Sequence, residues 1–335
     1  MKQYQYCVCI GRFEPFHNAH HELIKEALSN AEKALIIIGS AYKARTIQNP
    51  WTAEEREAMI RLTLSEEELA RVQFFHVRDY FYTNNRWLSE VQRIIAEATD
   101  NIDDEQICNI GEPANDFYFP QWKYFKMRNL DRMPHATAIR GLYFTHDNAY
   151  KSHVSPKVAE FLENFKTTPH FKALKEEFDH IRNYREAWNG APFPPTFVTV
   201  DAVVICSGHV LVVRRKGSPG RGLIALPGGF LNQKETIQEG VIRELKEETG
   251  IKLPKETLIK SIVEQKVFDY PERSLRGRTI THAFLINLGN APLPLVKGAD
   301  DADKAWWMSL SDLATREAEF FEDHFHIITH FVNKF

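Results

Sequence analysis

The stretch GFLNQKETIQEGVIRELKEETGI, residues 229–251, sets its charged and small residues at fixed intervals. Gly229 is followed after five residues by Glu235, and after seven more by Arg243-Glu244-Leu245, then Glu247-Glu248 and Gly250-Ile251. The periodicity predicts a helix over Thr236–Thr249, with Gly250 as the residue that stops it. On that helix Glu244, Glu247 and Glu248 stand at i, i+3 and i+4, so three carboxylates share one face. Like charges so placed cost a helix roughly a few tenths of a kcal/mol per pair. A divalent cation removes the conflict, and hard oxygen ligands suit Mg²⁺ or Mn²⁺. Arg243 stands four residues before Glu247 and can also reach back to Glu235, which would orient the carboxylates. Pro227-Gly228-Gly229 allows the backbone to approach a ligand closely. A solvated acidic face would explain three glutamates, but not the glycine, arginine and apolar positions that accompany them.

Ahead of this stretch, Thr196–Ile205 and Val210–Arg214 alternate in polarity around Ser207-Gly208 and read as a hairpin. NGAPFPP, residues 189–195, is a helix stop and a stiff connector. The segment before it, from about Pro156 to Trp188, is helical and rich in charge. The expected organisation is a first domain over 1–188, a linker over 189–195 and a second domain over 196–335. A length of 335 residues suits two cores.

The first 110 residues alternate strand and helix. Strands are expected at Tyr4–Ile10, Ala34–Gly39, Val72–Val77 and Gln106–Ile110, and helices at His20–Leu28, Thr52–Leu64 and Trp87–Ala98. Thr52 and Glu55 form a capping-box pattern. Such alternation implies βαβ crossovers and a parallel sheet covered on both faces. Directly after the first strand comes GRFEPFHNAHH, Gly11 to His21. A glycine turn there leads into a helix whose N-terminal N–H groups share space with His17 and His20, an arrangement suited to a polyphosphate. Arg12 adds fixed positive charge. The two histidines could instead be half of a metal site, but no glutamate lies between them as HExxH requires, and no third ligand is evident.

The 229–251 stretch resembles the Nudix box at every defining position, and the resemblance extends over 196–335 toward the ADP-ribose pyrophosphatase branch. FDYPERSLRGRTITHAF (268–284) and GADDADKAWW (298–307) resemble that branch's substrate loops. The resemblance implies metal binding by Glu244, Glu247, Glu248 and the carbonyl of Gly228, with Glu247 and Glu248 catalytic. It makes Arg276 and Arg278 candidates for the diphosphate. It also points to a base in the later loop, at Asp300 or Asp301.

GRFEPFHNAHH resembles the first motif of nucleotidyltransferases, most closely the archaeal-type nicotinamide mononucleotide adenylyltransferases. Their (H/T)xGH motif reads His17-Asn18-Ala19-His20, with Ala19 in place of the glycine. Their ISSTxIR motif reads HATAIR from His135 to Arg140; Thr137, Ile139 and Arg140 match, while His135 and Ala136 replace the two serines. NPWTAEER (49–56) and YTNNRW (82–87) resemble segments of the same branch. By that resemblance His17, His20 and Arg140 are catalytic, and Gly11, Arg12, Phe13, Asn49, Trp51, Arg56, Asn85, Trp87 and Thr137 bind substrate. Trp87 is the match for a ring that stacks on nicotinamide, a favourable arrangement for a cationic pyridinium over an indole.

Both halves together resemble bifunctional nicotinamide mononucleotide adenylyltransferase/Nudix proteins. The implied fold is α/β: a Rossmann-like nucleotidyltransferase domain with a parallel sheet, then a Nudix α/β/α sandwich. The implied ligands are ATP, nicotinamide mononucleotide, NAD⁺ and ADP-ribose, with Mg²⁺ or Mn²⁺ at both sites. Two rivals stay open. One is an adenylyltransferase for another phosphorylated substrate, which Trp87 and NPWTAEER argue against. The other is a Nudix-like ADP-ribose sensor that regulates transcription. It would need a DNA-binding segment, whereas EFFEDHFHIITHFVNKF (319–335) is aromatic and acidic.

Composition narrows the classes further. Forty-two basic against 45 acidic residues give a net charge of −3, without the basic field that duplex nucleic acid demands. Apolar residues at 43% exclude a disordered chain. No apolar run reaches the roughly 18–20 residues that span a bilayer. MKQYQYCVCIGRF lacks the features of a secretory signal, and four cysteines, at 7, 9, 108 and 206, form no CxxC pair. The expectation is a cytoplasmic protein with no nucleic-acid or membrane partner; a homo-oligomer stays open.

Overall fold

The computed structural model of the protein describes residues 2–111, 118–126 and 134–332. The chain forms two compact units, Met1–Lys175 and Glu176–Phe335. Their division falls inside the helix Pro169–Glu186, earlier than the connector at 189–195. The proline-rich connector marks where the helix ends, not where packing changes hands. The second half of the helix already packs in the C-terminal unit. There Glu177 accepts the Gly220 N–H at 3.0 Å, and Arg185 donates to the Leu275 carbonyl at 2.7 Å.

The N-terminal unit is built on β1 (Tyr4–Gly11), β2 (Ala31–Ile38), β3 (Val72–His76), β4 (Ile107–Gly111) and β5 (Lys123–Lys126), ordered β3-β2-β1-β4-β5. All neighbours are parallel, as the alternation predicts. Val8, Leu35 and Ile37 pack with Val91, Ile94 and Ile95 of the helix Asn84–Ala98, so one stripe of that helix covers one face of the sheet. Strand order reverses at β1, and the chain leaves β1 at Gly11 toward the helix Asn18–Asn30. In open parallel sheets this reversal point, at the carboxyl ends of the strands, is where ligands sit.

The C-terminal unit contains β6 (Thr196–Cys206), β7 (His209–Arg215), β8 (Ile224–Ala225), β9 (Gly228–Phe230), β10 (Ile262–Phe268), β11 (Arg278–Asn287) and β12 (Ala302–Ser309). The main order is β10-β11-β6-β7-β12, with β8 on β7 and β9 on β6. The expected hairpin forms and is short: β6 and β7 pair antiparallel at Ile205↔Val210 and Cys206↔His209. Beyond it β6 runs parallel to β11 from Thr196 to Ile205, while β7 runs antiparallel to β12. Burial on both faces of β6 over Val200–Val204 marks it as a central strand, which a polar/apolar alternation alone does not convey. Val200, Ala202 and Val204 pack on Val241, Ile242 and Leu245 of the helix Ile237–Thr249. That helix starts at a capping box between Thr236 and Glu239 and stops at Gly250, whose φ of 58° is left-handed. No described helix is long and apolar enough to cross a membrane.

Candidate active sites

In the N-terminal unit the turn after β1 is held from beneath. Arg56, 1% exposed, donates to the carbonyls of Arg12 and Gly39 at 2.7 Å each and lies 3.1 Å from Glu14. Burial pushes the Glu14 carboxyl up to about 8, against the pull of Arg56 and Arg140. Phe13 is buried with φ 55°, and its ring lies 3.0 Å from where a Cβ on Gly11 would sit. The turn delivers His17 to the N-cap of the helix Asn18–Asn30, where its side chain makes no capping bond. His20 stacks on His17 with ring centroids 3.7 Å apart. Burial, then the nearby charges of His135 and His153, pulls His17 down to about 4; burial likewise depresses His20. Both rings are therefore neutral near pH 7 and carry one N–H each. Nδ1 of His20 is buried with no hydrogen-bond partner among the described residues. Buried donors left open at a helix N-terminus suit an anionic oxygen.

The other sequence-predicted residues of this unit divide into two groups. Arg12 and Thr137 are exposed, and Asn85 is exposed on the first turn of Asn84–Ala98. Trp87 is half-buried, with Tyr118 and Phe119 at 5.7 and 5.9 Å. Asn49 is buried with Oδ1 unpartnered among the described residues, leaving an acceptor for a ligand amide. By contrast Trp51 and Arg56 are core groups. Trp51 is 1% exposed between Tyr143 and Phe165, and Arg56 spends its fork on backbone carbonyls. Neither presents a surface to substrate, so their expected contact becomes a positioning role. Arg140 is intermediate: its guanidinium donates to the Glu14 carbonyl and to the Thr137 hydroxyl, and burial lowers it to about 10.

In the C-terminal unit Arg243 organises the acidic face. It donates to Glu235 at 2.6 and 2.8 Å, to Glu244 at 2.8 Å and to Glu247 at 2.9 Å. The Arg243 guanidinium holds Glu235 down at about 2. Glu248 is 6% exposed and accepts the Gly228 N–H at 3.0 Å. Burial pushes its carboxyl up to about 8 and raises Glu244 as well. The two glycines before the helix are there for space. A Cβ on Gly229 would lie 2.5 Å from Glu244 Oε1, and one on Gly228 2.2 Å from the Val200 carbonyl. Among the described residues no three acidic, His or Cys side chains stand ready-grouped as metal ligands, and Arg243 bonds both Glu244 and Glu247. The donor set nevertheless fits a hard divalent cation: the part-buried Glu244 and buried Glu248 carboxylates, plus Glu247 and a backbone carbonyl.

Arg276 stands over the rings of Phe230 and Phe321 at 5.1 and 5.9 Å and faces Glu322 at 3.7 Å. Arg278 is turned to Asp269, whose backbone carbonyl it bonds. Sequence reading missed Arg215, which sits 4.1 Å over Phe321 and feels Arg276, Glu322, Glu248 and Asp301. It also missed His324, whose Nδ1 accepts the Leu226 N–H at 2.9 Å, and the buried Arg273–Asp323 pair at 2.7 Å. The only signal available was the run EFFEDHFH itself, acidic residues among aromatics. Asp300 has a left-handed φ of 52°, and the carbonyl of Asp301 accepts the Lys216 N–H at 3.0 Å.

Two family models match: cytidylyltransferase-like over residues 8–130 and NUDIX domain over 195–331. A bifunctional NMN adenylyltransferase/ADP-ribose pyrophosphatase from Francisella tularensis, solved with AMP and a manganese ion, is 38% identical with a TM-score of 0.93, covering 99% of both chains. The nicotinamide/nicotinic acid mononucleotide adenylyltransferase of Acinetobacter baylyi is 29% identical over 181 residues, 53% of this chain and 95% of that protein. The ADP-ribose pyrophosphatase of Methanocaldococcus jannaschii is 38% identical over 116 residues, 35% of this chain and 63% of that protein. One half of the chain thus carries a nucleotidyltransferase and the other a Nudix hydrolase, and the chain belongs to the family of bifunctional nicotinamide mononucleotide adenylyltransferase/Nudix ADP-ribose pyrophosphatases.

Proposed function

We propose that the N-terminal unit transfers AMP from ATP to nicotinamide mononucleotide, giving NAD⁺ and pyrophosphate, and that the C-terminal unit hydrolyses ADP-ribose to AMP and ribose 5-phosphate. The observation that carries this reading is the end-to-end likeness to the Francisella protein, 38% identical over 99% of both chains.

In the first reaction a phosphate oxygen of the mononucleotide forms a bond to the α-phosphorus of ATP. The bond from that phosphorus to the bridging oxygen breaks, and its electron pair leaves with pyrophosphate. The nucleophile is already ionised at neutral pH, so the protein positions and stabilises rather than removing a proton. His17 and His20 supply N–H donors, Arg12 adds charge, and Arg56 and Arg140 hold the turn that carries them. Trp87 offers its half-exposed indole to the nicotinamide.

In the second reaction Glu244, Glu247, Glu248 and the Gly228 carbonyl would hold Mg²⁺ or Mn²⁺. Such a cation supplies a Lewis acid for phosphoryl oxygens and acidifies water. Arg243 fixes where two of the carboxylates stand, and Arg276, with Arg215 beside it, faces the negative charge of the diphosphate.

Product analysis tests both halves: purified protein with ATP plus the amide or acid mononucleotide, then separately with ADP-ribose and Mg²⁺ or Mn²⁺. NAD⁺ or its acid analogue is expected from the first mixture, and AMP with ribose 5-phosphate from the second. Absence of a dinucleotide product with either mononucleotide would reject the first half, and intact ADP-ribose the second.

A further inference from the structure

We propose that His324, at the start of the last described helix, is a positioning residue of the Nudix site: it fixes the backbone turn Leu226-Pro227-Gly228. With that turn it sets the Gly228 carbonyl, which the proposed hydrolytic reading gives to the metal. The inference rests on that reading and adds to it a residue from outside the acidic helix and its glycines.

The need arises where the sheet ladder breaks. β8 ends at Ala225 and pairs with β7, whereas β9 begins at Gly228 and pairs with β6. Leu226 and Pro227 cross from one neighbour to the other and belong to neither strand. Both are buried, so their backbone polar groups need partners outside the regular ladder. The proline has no N–H, and its carbonyl accepts the Ala202 N–H at 2.8 Å. The Gly228 N–H goes to Glu248 at 3.0 Å. The Leu226 N–H goes to Nδ1 of His324 at 2.9 Å, a partner 98 residues further along the chain. Three successive residues are thus tied to three elements: the tail, the central strand and the acidic helix.

The imidazole suits this post and is held there. A backbone N–H can only donate, so Nδ1 keeps its lone pair and the ring proton sits on Nε2. The ring is 6% exposed and lies beside Phe321, with centroids 5.5 Å apart. Immediately before it, Asp323 grips Arg273 through two bonds of 2.7 and 3.0 Å, with both side chains almost wholly buried. The Phe321 N–H reaches the Ile224 carbonyl at 2.8 Å, and the His324 N–H closes the turn on the Phe321 carbonyl at 3.1 Å. The ring is therefore a fixed post against which the metal-binding turn is set. Without its acceptor, a buried N–H two residues from the Gly228 carbonyl loses its partner, and the turn must move to find another.

The test uses the full chain with His324→Asn, His324→Gln and His324→Ala. Asn places an amide oxygen close to where Nδ1 stands, Gln carries it further out toward Nε2, and Ala has no acceptor. Mn²⁺ binding is measured by electron paramagnetic resonance without nucleotide, and Glu248→Gln supplies the background from any other site. ADP-ribose hydrolysis is followed at varied Mn²⁺ and varied substrate, and melting of the C-terminal unit is recorded. His324→Ala and His324→Gln are expected to weaken Mn²⁺ binding by about tenfold or more, the scale seen when a group that orients a metal ligand is lost. His324→Asn should stay within about threefold of wild type, since it keeps the acceptor. KM for ADP-ribose at saturating Mn²⁺ should move by less than about threefold in all three. Wild-type Mn²⁺ affinity in a folded His324→Ala protein would overturn the proposal. Equal affinities in the Asn and Gln variants would do the same, and that comparison decides the matter if the Ala variant does not fold. A wild type that binds Mn²⁺ with the expected pattern among the variants, yet leaves ADP-ribose intact, would keep the role of His324 and remove the ADP-ribose reading.

Discussion

The two units solve opposite electrostatic problems in opposite ways. At the turn after β1 the protein prepares for an anion by leaving donors unspent: His17 is an N-cap without a capping bond, and His20 keeps a buried nitrogen unpartnered among the described residues. On the helix Ile237–Thr249 it prepares for a cation by gathering carboxylates, which would repel one another, so Arg243 ties Glu235, Glu244 and Glu247 together. The acidic helix also keeps its full capping box. An anion site can stand open because neutral imidazoles do not repel. A cation site cannot, because carboxylates at i, i+3 and i+4 do.

The strongest test of this contrast is Glu248→Gln. With the buried carboxylate gone, ADP-ribose cleavage should fall by about 10³-fold or more, since metal-assisted charge stabilisation supplies several kcal/mol of the barrier reduction. Adenylyl transfer should stay near wild type. Loss of both activities together would break the two-site picture.

His20→Ala is the counterpart in the other unit. Removing one preorganised donor should lower adenylyl transfer by roughly 10²-fold or more while hydrolysis survives. Transfer rates within a few-fold of wild type would take the phosphate assignment away from this turn.

Trp87→Ala probes the far end of the same site. A desolvated cation–π contact is worth roughly 2 kcal/mol, so KM for the mononucleotide should rise about thirtyfold with KM for ATP little changed. Trp87→Phe should lose less. An Ala variant that melts early but binds the mononucleotide normally would make Trp87 a packing residue, like Trp51.

The smallest effects concern the two helix starts. Thr236→Ala removes half of a capping box and should cost the C-terminal unit about 1 kcal/mol. His17→Ser does the reverse in the N-terminal unit: it supplies the missing cap, so that unit should gain up to about 1 kcal/mol while adenylyl transfer drops. Thermal transitions followed for each unit, alongside both activities, check the pair. A destabilised His17→Ser protein would mean that the imidazole already serves the fold.

The box around Arg243 was legible because its partners lie within one helix and the turn before it, where spacing along the chain is spacing in space. The parallel sheet was legible because strand-like and helix-like segments alternate and ALIIIG has no polar face. NPWTAEER shows where legibility stops. Its residues were read as touching substrate, but no sequence states which way an arginine fork points, and Arg56 points inward to Arg12 and Gly39. Arg215, Glu322 and His324 were out of reach because they lie far apart along the unit and come near one another only once β7 and the tail are folded. The hairpin between β6 and β7 was legible, but turn chemistry reports the bend and not how far the strands stay together.

The two glycines before the acidic helix have a consequence for how this chain can change. At 228 the obstacle to a side chain is backbone, the Val200 carbonyl, which has nowhere to go. At 229 it is the Glu244 carboxylate, which can swing aside only by abandoning its post. Even a single methyl in either place reshapes the acidic face, so change is scarcely tolerated there. Variation has room instead in the stretch 269–272 and the turn near Asp300, where side chains meet solvent. A lineage built on this unit would explore new diphosphates by rewriting those loops around an unaltered floor.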